Sequence, residues 1–115
     1  MPESGDRVQD ALAKLKLKFA GDLPAKVARV EAQTAAFLAE PWKEQVCSET
    51  YRLIHSLAGS AGTYGHSELG STARVAEGLL KGSLESRRPL GEPEKKELSA
   101  VLAKMRELAA AAAAG

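Results

Sequence analysis

The sequence predicts an all-α protein, an up-down antiparallel four-helix bundle with room for an additional N-terminal helix. Three observations predict it. Apolar residues recur at spacings of three and four along most of the chain, and no stretch alternates apolar and polar residues long enough to read as a strand. Alanine, leucine, lysine and glutamate are abundant, while aromatic residues make up only 4%. The 115 residues suit a single domain, and short connections between long amphipathic helices favour antiparallel neighbours.

The first segment, about Asp6 to Ala20, places Val8, Leu12, Leu15 and Phe19 on one face. Two readings follow it. Gly21 ends this helix and Asp22 caps a new one with Pro24 in its first turn, or a single kinked helix runs on. The second segment, about Asp22 to Ala39, carries Leu23, Val27, Val30, Thr34 and Phe37 on one face. Pro41 offers the next start, with Trp42 packing there. The third segment reaches about Tyr64 and buries Cys47, Thr50, Ile54, Leu57, Ala61 and Tyr64. Gly65, His66 and Ser67 form a tight turn, His66 is expected to be solvated, and Ser67 is a candidate cap. The fourth segment runs to about Gly82, with Leu69, Ala73, Ala76, Leu79 and Leu80 inward. Glycines and prolines mark 82–93 as a loop. The fifth segment, about Pro93 to Ala110, buries Leu98, Val101, Leu102, Met105 and Leu108. The alanine-rich 109–115 reads as a helix extension or a linker.

Composition narrows the function classes. Sixteen basic against fifteen acidic residues leave a formal charge of +1, so nucleic acid is a poor partner. One cysteine, Cys47, fits a reducing compartment, and its place on the apolar stripe marks it as a core residue. No long apolar run or leader argues for a membrane, so a cytoplasmic location is expected. There is no glycine-rich phosphate loop, no nucleophile–base–acid set and no acidic metal pocket, so an independent enzyme, a metal site and a cofactor are not expected. His55 and His66 do not make a metal pair, because the helix ends between them.

One segment carries chemistry, YRLIHSLAGSAGTYG from Tyr51 to Gly65. Gly59 and Gly62 each cost roughly 1 kcal/mol relative to alanine inside a helix, a loss with a purpose only where backbone approaches a neighbouring helix or a partner. On the helix, His55 has Ala58 and Gly59 one turn on and Gly62 two turns on, so it projects from the edge of the buried face beside a bare strip that Tyr51 and Arg52 border. Centring the turn on His66 puts His55 and Glu77 level across the hairpin, about 16 Å from the turn, and Ala58 level with Arg74. A carboxylate there accepts the Nδ1 hydrogen, fixes the tautomer and leaves Nε2 a better nucleophile. Arg74 is a cation able to offset phosphoryl charge.

His55-Ser56-Leu57-Ala58-Gly59-Ser60-Ala61-Gly62-Thr63-Tyr64-Gly65 resembles the phosphoacceptor motif of histidine-containing phosphotransfer (HPt) domains, including the phosphoacceptor domain of chemotaxis histidine kinases. The resemblance spans roughly residues 20 to 84 and includes Glu77. It implies a phosphoryl carrier of two-component phosphorelays. His55 would take the phosphoryl group on Nε2, Glu77 would hold the imidazole, and Gly59 would give a receiver domain room. The partners implied are a response-regulator receiver domain and a histidine kinase catalytic domain, with Mg²⁺, if needed, in the partner's site. The family often has lysine three residues after the histidine, where this chain has Ala58, and Arg74 is the candidate substitute. That departure motivates the alternative, an inactive HPt-like adaptor that docks without phosphotransfer.

Overall fold

The computed structural model describes residues 2–39 and 41–115. They form four helices: α1 (Pro2–Ala39), α2 (Glu44–Thr63), α3 (Ser67–Ser86) and α4 (Glu92–Ala114). Consecutive helices pack on each other and α1 closes the ring on α4, while the backbones of the diagonal pairs stay apart. With short connections this is the expected up-down bundle. Among the described residues no helix is long and apolar enough to cross a membrane.

The choice between two N-terminal helices and one falls to one. Gly21 and Pro24 both lie inside α1. Its 38 residues span about 57 Å at 1.5 Å each, which accounts for the 59 Å long axis of the molecule. The bundle is much shorter. Glu31 of α1 pairs with Arg106 of α4, and counting along the antiparallel helices brings the end of α4 at Ala114 level with about Leu23. The α2–α3 turn reaches Phe19, whose ring stacks on Tyr64 with centroids 4.5 Å apart. Residues 5–18 therefore run beyond the other helices.

This corrects the expected first core stripe. Phe19, Leu23, Val27, Val30, Thr34 and Phe37 are buried, but Val8, Leu12 and Leu15 are 58%, 51% and 48% exposed. Their spacing is right; no neighbouring helix reaches them.

Other boundaries also shift. α2 starts at Glu44, three residues after Pro41. Ser67 is the first residue of α3 and does not cap it; His66 holds the cap position without a side-chain bond. His66 is also half-buried, its ring 5.7 Å from that of Phe19, because the overhanging α1 covers the turn. α3 continues through Gly82 to Ser86, so the expected loop shrinks to 87–91. Burial of Leu80 and Ser83 explains why one glycine does not end the helix. α4 extends through the alanine run to Ala114, with Ala109 fully buried.

Trp42 packs at the far end of the bundle, as expected, and donates from Nε1 to Ser83 Oγ at 3.0 Å. Cys47 lies beneath it, fully buried, and burial pushes its thiol pKa up despite opposing hydrogen bonds with Ser83 and Trp42. A buried thiol held protonated is a packing group.

Candidate functional site

The site is built where α2 and α3 come closest. Ala58, Ala61, Gly70 and Ala73 line that contact, and a Cβ on Gly70 would stand 3.3 Å from the Ala58 carbonyl oxygen. Gly65, at φ +87°, turns the chain sharply between the helices, and the His66 N–H donates to the Ala61 carbonyl at 2.8 Å. The tight hairpin holds the two helices in register.

That register joins the two residues singled out as level. His55 Nδ1 and Glu77 Oε2 are 2.6 Å apart. The imidazole is 59% exposed and the carboxylate only 13%. Arg74 donates from a guanidinium nitrogen to the other oxygen, Oε1, at 3.3 Å. The Tyr51 ring stacks on the His55 ring with centroids 5.9 Å apart and planes 18° apart. Burial pushes the Glu77 pKa up, but the hydrogen bond and charge of His55, the Tyr51 hydroxyl and the Arg74 charge outweigh it, so the carboxyl lies below its ordinary 4.5. Glu77 is thus a carboxylate at neutral pH. With Nδ1 engaged as donor to it, Nε2 is the free ring nitrogen, and no described residue pairs with it.

The glycine strip divides as its geometry dictates. Gly59 and Gly62 are exposed, and a Cβ on either would meet nothing within 4 Å. Their bareness therefore serves no helix packing; the packing glycine is Gly70. Ala58 is corrected: it is 2% exposed and faces α3, so it is no part of a docking strip. Arg52 is exposed and Tyr51 half-buried, both bordering His55. Arg74 is close to Glu77, on the α3 side of the ring.

Sequence reasoning put Tyr51 at the border and missed its engagement with both His55 and Glu77; its position four residues before the histidine was the available signal. It also missed Lys26 and Arg29 of α1, which line the cleft beside Ser56. Among the described residues no group of three or more His, Cys, Asp or Glu is placed to hold a metal ion.

A family model for the Hpt domain matches residues 6–114. The chain belongs to the Hpt domain family. No curated relative and no solved structure matches it. Hpt domains are phosphoryl carriers of two-component signalling, interacting with receiver domains and kinases, and they are carriers, not catalysts.

Proposed function

We propose that this Hpt domain carries the phosphoryl group on Nε2 of His55 and exchanges it with an aspartate of a receiver domain or with a kinase catalytic domain in the cytoplasm. The observation that supports it is an exposed imidazole anchored at Nδ1 by Glu77, 2.6 Å away, beside glycines that leave open space.

The step balances without a cofactor on this chain. The Nε2 lone pair attacks the phosphorus of a receiver's aspartyl phosphate. The N–P bond forms as the P–O bond to the aspartate breaks, and the aspartate leaves with the electron pair as a carboxylate. From a kinase the leaving group is the nucleoside diphosphate. The proton on Nδ1 stays in place, and the positive charge that develops on the ring faces the Glu77 carboxylate. Arg74 acts through Glu77 by holding its second oxygen. A divalent cation, where the transfer uses one, belongs to the partner's site. Positioning and charge compensation do most of the work in such a transfer.

The test is incubation with a phosphorylated receiver or an active kinase. Acid-labile label on the wild type, absent from His55→Gln, is the expected result; acid-stable label, or label persisting in His55→Gln, refutes the assignment. Glu77→Gln should slow transfer by about tenfold or more. Gly59→Leu should block docking without unfolding the domain, since nothing lies within 4 Å of its Cβ position. Equal receiver binding by wild type and His55→Ala, with no label on either, would support the adaptor reading instead.

A further inference from the structure

We propose that Arg52, backed by Arg29 across the α1–α2 cleft, is the cation that receives the phosphoryl group on His55. This rests on the phosphocarrier reading and assigns it a binding group.

A phosphoryl group brings close to two negative charges at pH 7, and here it would sit on a ring already bound to a carboxylate. A cation on this chain facing it would offset that charge. Arg74 is the nearest by the hairpin count, but its guanidinium is engaged with Glu77 Oε1 on the α3 side of the ring. The opposite side is different. Passing around α2 from α3 towards α1, at about 100° per residue, the order is Ala58, Tyr51, His55, Gly59, Arg52, Ser56. Glu77 draws Nδ1 towards α3, and Tyr51 stacks on the ring from that side. The unpaired Nε2 is left on the side of Gly59 and Arg52. Gly59 has no side chain to fill that space, and Arg52, one turn earlier, is a helix-surface neighbour of His55.

Arg52 is also available. No described carboxylate pairs with it or with Arg29. The two line one cleft with Ser56 and Glu49, and Glu49 accepts a hydrogen bond from Gln45 at 3.1 Å. An unpaired guanidinium can offer two parallel N–H donors to phosphoryl oxygens, which a point charge cannot.

Equilibrium partition of the phosphoryl group between this domain and its receiver isolates the effect, because docking contacts cancel from the energies of the separated species. Wild type, Arg52→Ala, Arg52→Lys and Arg74→Ala are each equilibrated with phosphorylated receiver, and the label on each protein is counted. Arg52→Ala should shift the partition about fivefold towards the receiver, with partial rescue by lysine and a smaller shift in Arg74→Ala. Thermal melts should match wild type, since Arg52 is exposed. A wild-type partition in Arg52→Ala overturns the inference and leaves the phosphocarrier reading intact. Weaker docking with an unchanged partition also overturns it. A wild type that takes no label overturns both.

Discussion

The two halves of α1 carry one apolar stripe and meet different fates. From Phe19 to Phe37 the stripe is sealed against α2 and α4; from Val8 to Leu15 it faces solvent. The residue types and spacings are alike in both. What differs is whether a second helix reaches that height, and the α2–α3 turn and the end of α4 stop near Phe19 and Leu23. The outer half is helical because it continues a helix that the bundle has already nucleated, so it avoids the initiation cost that makes short isolated helices marginal. A periodic stripe thus encodes a face and not its occupant.

Substitution should separate the halves most sharply. Leu23→Ala, at a fully buried position, should cost about 2–5 kcal/mol, whereas Leu12→Ala in the overhang should stay within about 0.5 kcal/mol. Urea unfolding of both variants measures this, and a costly Leu12→Ala would mean that the outer face is covered in solution. Amide exchange sharpens the same contrast: protection should fall steeply for residues before Phe19 and reach the global stability around Val27 and Val30.

Pro24 stands near the border. It lacks the N–H that would bond back to Ala20, so Pro24→Ala should stabilise the chain by about 1 kcal/mol and extend protection outwards. Loss of stability instead would show that packing of the bundle half requires the backbone that proline fixes there.

The smallest effect is electrostatic and confined to the bundle. Glu77 has a folded-state pKa below its ordinary 4.5, so its contribution is complete at neutral pH and is lost as pH falls through that lowered value. With His55 largely exposed, the loss should be at most about 1 kcal/mol. Stability of Glu77→Gln should lack this acid-side component, and an identical pH profile would remove Glu77 from the account.

The same distinction between face and occupant runs through the site. The motif from His55 to Gly65 and the level position of Glu77 were legible because hairpin register follows from counting residues about a short turn. Ala58 and Gly59 are adjacent in sequence and looked alike as members of a bare strip; only the approach of Gly70 puts the first against α3 and leaves the second open. Gly82 looked like a stop, but burial of its neighbours Leu80 and Ser83 carries α3 past it. Arg74 was legible as a nearby cation and Arg52 only as a border of the strip; that Glu77 takes up the Arg74 guanidinium depends on the packed geometry.

Sequence alone determined that the chain is helical, which residues form each apolar face, and which imidazole and carboxylate stand at one height, because these follow from local backbone geometry and residue spacing. Tertiary structure decided where α1 leaves the bundle, which small residues are covered, and which cation Glu77 engages. Those depend on the lengths and contacts of helices far apart in the chain, and spacing within one helix contains no record of them.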